Sequence, residues 1–171
     1  MKLKKDQKQD YIIQASQLPS WQLNDRQICD LELLLSGAFS NLQGFMGKID
    51  YESVLDNMRL NDGTLSPIPI TLDIDAEFAK KITNKNKITL RDKEGFPLAI
   101  LTISDLWKPN IDNEAKMVYQ TNNITHPGVH YLKQISNEYY VGGVLKGIQL
   151  PHHYDYNNLR HTPKEIKSIF K

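Results

Sequence analysis

After Asn61-Asp62-Gly63 the hydrophobic rhythm of this chain changes from one apolar residue every three or four positions to one every two. Before that turn, Ile28, Leu31, Leu34 and Leu35 share one side of a 3.6-residue repeat, while Arg26, Asp30 and Glu32 lie mostly off it. Beyond it, Ile68, Ile70, Leu72 and Ile74 alternate with Pro69, Thr71 and Asp73, which gives a sheet one apolar face. A chain carrying both rhythms needs helices and strands around a shared core.

Local signals place the elements. Residues 1–17 begin with a charged run and are expected to form a solvated tail, leaving 18–171 as the folded domain. Asn24 or Asp25 caps a helix over Asp25 to Leu35, and Gly37 supplies the left-handed residue that stops it. A second helix is expected over Tyr51 to Leu60, with Asp50 as its cap, and a short third over Glu77 to Ile82. Pro67 and Pro69 put the strand that follows them at an edge or a strand start, since proline donates no ladder hydrogen bond. Lys87 to Arg91 and Phe96 to Ile103 flank Asp92-Lys93-Glu94-Gly95 and read as a hairpin. Further strands are expected at Lys116 to Gln120 and at Tyr139 to Ile148. Thr162, Pro163 and Glu165 carry the pattern of a capping box and open a last helix. The fold class is therefore α+β: a β-rich middle with a curved or barrel-like mixed sheet, flanked by N-terminal and C-terminal helices.

Composition excludes several functions. The 171 residues are 40% hydrophobic and 24% charged, as in a soluble globular domain with a true core. A formal net charge of +1 gives no overall field for a phosphate backbone, so no nucleic-acid partner is expected. Cys29 is the single cysteine, which rules out an intrachain disulfide; it is expected to be a small buried apolar side chain in a reducing compartment. The start has no apolar run of signal-peptide length, and no stretch of about 18 apolar residues occurs. The expectation is a cytoplasmic protein without a membrane segment.

Four groups of residues invite a chemical reading. His126 and His130 stand four apart, but Pro127 and Gly128 between them argue for a loop, and two ligands fall short of a closed metal site. Asp73 and Asp75 share a strand face as a carboxylate pair would, though a solvated strand end is the commoner reason for such spacing. Lys80, Lys81, Lys85 and Lys87 form a basic cluster around Asn84 and Asn86, without interleaved aromatic rings for base stacking. The densest polar and aromatic stretch is His152, His153, Tyr154, Asp155 and Tyr156, followed by Arg160. It reads either as a contact surface or anion site, or as a strand-to-helix corner in which the tyrosines pack and Asp155 pairs locally.

Several longer phrases carry a resemblance. Cys29 to Met46 reads CDLELLLSGAFSNLQGFM, Met58 to Asp73 reads MRLNDGTLSPIPITLD, His126 to Leu132 reads HPGVHYL, and Leu150 to Phe170 closes with LPHHYD, LR and TPKE. In that order they resemble the front domain of the ATP sulfurylase (sulfate adenylyltransferase) family. Ala38, Asn41, Gln43 and Ser66 depart from the family pattern, at positions that are not catalytic in the family.

The resemblance implies a PUA-like first domain packed against a separate α/β nucleotidyl-transfer domain that would begin near Lys171. The parent reaction joins ATP and sulfate into adenylyl sulfate and pyrophosphate, using ATP with magnesium. Its anion-binding motifs, Gln-x-Arg-Asn-Pro-x-His and His-x-x-His, belong to the second domain, and neither Arg-Asn-Pro nor His-x-x-His occurs in these residues. The resemblance therefore implies a structural and interdomain packing role, with no cofactor and no catalytic, substrate-binding or metal residue in this chain, and no turnover by it alone. The implied partner is the catalytic domain, a homo-oligomer being a further option, with interdomain contact at His152, His153, Tyr154, Asp155, Tyr156 and Arg160. The alternative is a stand-alone PUA-like binding module for RNA or a nucleotide.

Overall fold

The computed structural model describes residues 5–170. Its elements run α1 (Lys5–Gln17), β1 (Ser20–Gln22), α2 (Asp25–Ser36), α3 (Lys48–Asn57), β2 (Leu72–Ile74), α4 (Ala76–Ile82), β3 (Lys87–Arg91), β4 (Pro97–Trp107), α5 (Ile111–Tyr119), α6 (Pro127–His130), a π-helical turn (Tyr131–Ile135), β5 (Tyr139–Gly147), a 3-10 turn (Asn157–Leu159) and α7 (Pro163–Ile169). The five strands are hydrogen-bonded in the order β1-β3-β4-β5-β2, with parallel and antiparallel neighbours. The α+β class and the mixed sheet match the expectation. The chain divides into two compact units.

The first unit comprises Met1–Gly44, Lys87–Thr102 and Val144–Lys171. β1 pairs in parallel with β3, which pairs antiparallel with β4 through the expected hairpin. Asp92 closes that turn: its Oδ1 accepts from the N–H groups of Glu94 and Phe96, and Gly95 takes a φ of 90°. α2 keeps a complete capping box, in which Asn24 Oδ1 accepts from Gln27 N–H and Gln27 Oε1 accepts from Asn24 N–H. Its buried face of Gln27, Leu31 and Leu34 belongs to a core that includes Leu23, Ile88, Leu90, Leu98 and Leu101.

Where a solvated tail was expected, Lys5–Gln17 is helical, and Ala15 is fully buried in a cluster with Ile100 and Ile148. Tyr11, Ile12 and Leu18 pack against that cluster, and Thr89 Oγ1 donates to Ala15 O at 2.9 Å. A short apolar patch inside the charged run is enough to dock the helix. Residues 1–4 lie outside the described residues. Cys29, expected to be buried, is exposed, because it falls on the solvent side of α2.

The second unit comprises Phe45–Asn86 and Ile103–Gly143. Here β2 pairs antiparallel with β5, in the register Leu72 to Val141, Asp73 to Tyr140 and Ile74 to Tyr139. Its core gathers Phe45, Met46, Tyr51, Val54, Leu72, Ile74, Phe78, Ile82, Ala115, Val129, Tyr140 and Val141. The alternation from Ile68 predicted a longer strand than the three residues found. Pro67 and Pro69 remove donors, and the extended segment bonds to a loop instead, with Met46 N–H donating to Ile70 O at 3.0 Å.

Three further expectations change in this unit. Lys116 to Gln120 is not a strand but lies at the end of α5, whose cap Asn110 accepts from Asn113 N–H. The Asn110 cap and the acidic first turn, Asp112 and Glu114, select a helix. α3 begins after Gly47, not Asp50, whose carboxylate accepts from Asn61 N–H at 2.9 Å. Pro127–His130 is a short helix rather than a loop: proline is tolerated in the first turn, and the cap His126 accepts at Nδ1 from Gly128 N–H at 3.2 Å.

Candidate functional site

In the first unit the C-terminal segment is built from side-chain pairs. His153 Nε2 donates to the Glu32 carboxylate at 2.8 and 3.0 Å, tying the segment to α2. His152 meets the Tyr154 ring edge-on with centroids 4.5 Å apart, and Tyr154 Oη donates to Glu94 Oε1 at 2.7 Å. That bond pushes the Tyr154 hydroxyl above its ordinary pKa. Arg160 donates to both the side chain and the backbone carbonyl of Asp155, at 3.2 Å each. The Arg160 guanidinium and His153 are thus engaged with carboxylates of the chain itself. Thr162 and Glu165 form the expected capping box of α7.

The tyrosines of this stretch were expected to pack if it were a simple corner. They do not: Tyr154 is 73% and Tyr156 70% exposed, and Leu159, Ile169 and Phe170 reach 69%, 65% and 83%. Asp155 does pair locally, as that reading required. The result is an ordered frame presenting large apolar side chains to solvent.

The second unit contains a buried polar cluster with no local sequence signal. Tyr51 Oη and Tyr140 Oη both donate to Glu114 Oε2, at 2.9 and 3.0 Å, and all three residues are buried. Trp107 completes an aromatic trio, with centroids 5.6 Å from Tyr51 and 5.8 Å from Tyr140. Burial first, and then the Glu114 charge, drives both phenols well above their ordinary pKa, so they stay protonated donors. Among the described residues, Trp107 Nε1 is the one buried side-chain nitrogen or oxygen without a hydrogen-bond partner. α3, α5 and the end of β4 border a cleft of about 330 Å³ on which Tyr51 and Trp107 lie.

The remaining candidates resolve into structure. Asp73 is fully buried rather than a solvated strand end, and its Oδ2 accepts from the backbone and side-chain N–H groups of Asn137 at 2.9 Å. Asp75 caps α4 by accepting from Phe78 N–H at 2.7 Å. Two carboxylates with separate anchoring duties do not act as an acid/base pair. Lys80, Lys81 and Lys85 are exposed, while the nearby Phe78 ring is buried and presents no stacking face. Among the described residues no three of His, Cys, Asp and Glu gather where they could hold a metal ion.

The family model that matches residues 1–150 is that of the PUA-like domain. The chain belongs to the PUA-like domain family. The PUA-like domain is 49% identical to the sulfate adenylyltransferase of Kluyveromyces lactis over 160 residues, which is 94% of this chain and 32% of that protein. It is 47% identical to the sulfate adenylyltransferase of Saccharomyces cerevisiae over 158 residues, 92% of this chain and 31% of the relative. Among solved structures it superimposes on the hexameric APS kinase from Thiobacillus denitrificans with a TM-score of 0.73 and 31% identity, covering 98% of this chain and 29% of that one. The PUA-like domain therefore corresponds to the N-terminal domain of sulfate adenylyltransferases and spans about a third of the length of these relatives. No helix among the described residues is long and apolar enough to cross a membrane.

Proposed function

We propose that this chain serves as the non-catalytic N-terminal part of a sulfate adenylyltransferase, giving the catalytic part a packed support. One observation carries the reading: identity of 49% extends over 94% of this chain but only 32% of the Kluyveromyces lactis enzyme. The activity named for that enzyme thus has about two thirds of a polypeptide to reside in that this chain does not match. The clusters described here agree, since their carboxylates, His153 and Arg160 are engaged in holding the fold.

The surface for the catalytic part is the C-terminal frame of His152, His153, Tyr154, Asp155, Tyr156 and Arg160, with the exposed Leu159 and Phe170 beside it. Exposed aromatic and aliphatic side chains on a hydrogen-bonded frame are the composition of an interface core. ATP, magnesium and sulfate belong to the catalytic part in this reading. Assembly into a homo-oligomer is supported by the hexameric neighbour, and a cytoplasmic setting by the lone cysteine.

The test is a fusion of this chain to the unmatched two thirds of the Kluyveromyces lactis enzyme. The fusion should make adenylyl sulfate from ATP and sulfate, and Tyr154→Ser with Phe170→Ser should lower that activity at least tenfold while the isolated chain keeps its melting temperature. A fusion indifferent to both changes would refute the docking surface.

A further inference from the structure

We propose that Glu32 and Glu94 are positioning residues for the docking surface: two carboxylates of the first unit that fix the C-terminal frame in the conformation the catalytic part meets. Their role deepens the support reading and rests on it. Packing does not hold the frame. From Gln149 to Phe170 no residue is buried, and the match to the PUA-like family model stops at residue 150. Ile148 and Gln149 still donate their N–H groups to Leu98 O, at 2.8 and 3.2 Å. Past that point the backbone bonds to its own turns, as from Leu159 N–H to Tyr156 O at 2.8 Å. The seven-residue α7 buries no side chain, so it supplies no anchor.

The frame nevertheless keeps a conformation that a free chain avoids. Tyr156 has a φ of 50°, in the left-handed region where a large side chain is disfavoured. Such a residue persists where its surroundings fix it. Two bonds from the frame to the rest of the unit do so. His153 Nε2 donates to both oxygens of Glu32, and Tyr154 Oη donates to Glu94 Oε1. Arg160 then closes the turn on Asp155, so Tyr156 lies between a fixed pair and a fixed guanidinium.

Both carboxylates stand on rigid elements. Glu32 lies inside α2, a helix capped at both ends. Glu94 lies in the β3–β4 turn, where its own N–H donates to Asp92 Oδ1 at 3.1 Å and Arg91 Nη1 donates to Gly95 O at 2.8 Å. The adjacent Lys93 pairs with Asp25 at 2.6 Å, which leaves the Glu94 carboxylate to the tyrosine. Side chains ordered before docking lose less freedom when the partner arrives, so a fixed frame binds more tightly than a loose one.

Amide exchange by NMR on the isolated chain reads the frame itself. Glu32→Ala and Glu94→Ala should each lower protection of the Leu159 and Arg160 amides about three- to tenfold and leave β3 and β4 unchanged. Tyr154→Phe should match Glu94→Ala, and the two together should do no more than either, because the same bond is lost once. In the fusion to the unmatched two thirds of the Kluyveromyces lactis enzyme, Glu32→Ala with Glu94→Ala should lower adenylyl sulfate formation at least about threefold. Tyr154→Phe, which keeps the ring, should lower it too. Unchanged protection, or additive losses from Glu94→Ala and Tyr154→Phe, overturns the positioning role. So does a fusion that tolerates both alanines yet loses activity with Tyr154→Ser and Phe170→Ser. A fusion indifferent to all of these changes means that the docking reading has failed, and the positioning role falls with it.

Discussion

Raising the pH through the ordinary range of tyrosine should destabilise this fold in a way that two residues control. Tyr51 and Tyr140 each donate to Glu114 Oε2 from a buried position, and both have their pKa raised from an ordinary 10.0, by burial first and by the Glu114 charge second. In the unfolded chain these phenols ionise near pH 10, whereas in the fold they keep their protons. Below that pH both states carry the protons and the stabilisation is intact. Above it the unfolded state binds fewer protons than the native state, so stability falls as pH rises. Each phenol then removes about 1.4 kcal/mol per pH unit, roughly half that at pH 10 itself, and the two together about 2.7 kcal/mol per unit. Lysines titrate in the same range, so the informative quantity is the difference between variants. Urea unfolding followed by far-UV circular dichroism between about pH 9 and 11.5 should give Tyr51→Phe and Tyr140→Phe shallower slopes than the parent, by about 1.4 kcal/mol per unit each. The double variant should be shallower again. Equal slopes in all four proteins would refute the claim that these hydroxyls stay protonated inside the fold.

Four further outcomes follow from the geometry. A Cβ at Gly142 would lie 2.4 Å from Met46 O and 2.5 Å from Gly47 Cα, so Gly142→Ala must displace backbone. It should cost about 3 kcal/mol, or a fall of about 6–12 °C in a thermal melt. Gly37→Ala meets no atom within 4 Å but sits at a φ of 82°, and should cost about 1 kcal/mol in the same melt. Thr162→Ala removes the reciprocal cap of α7 and should speed amide exchange over Pro163–Ile169, leaving the global melt unchanged because that helix buries no residue. Asp73→Ala strips two acceptor contacts from Asn137 and should lower stability by about 2–4 kcal/mol in urea unfolding.

Signals that act within a few residues were legible in the sequence. Asn24, one of the two caps the sequence offered, Thr162 with Glu165, Gly37, and the Asp92 to Gly95 turn all sit where spacing alone placed them. The strand reading failed at Lys116 to Gln120, where the Asn110 cap and the acidic first turn select the helix α5. It also overran where Pro67 and Pro69 deny the ladder its donors. The polar cluster of the second unit was invisible for a different reason. Tyr51 and Glu114 are 63 positions apart, Glu114 and Tyr140 another 26, and no periodicity links residues that only the sheet and helices bring together. Asp73 shows the same limit, since its partner Asn137 lies 64 positions away. The C-terminal frame could be picked out as a dense polar and aromatic stretch, but the exposure of Tyr154 and Tyr156 became apparent only from their surroundings.

In the proposed function this polypeptide lends support to chemistry performed elsewhere. Incubating the isolated chain with ATP, sulfate and magnesium, and following adenylyl sulfate by mass spectrometry alongside pyrophosphate release, tests that directly. The predicted result is no product above the protein-free control. Sustained formation of adenylyl sulfate by these 171 residues alone would contradict it.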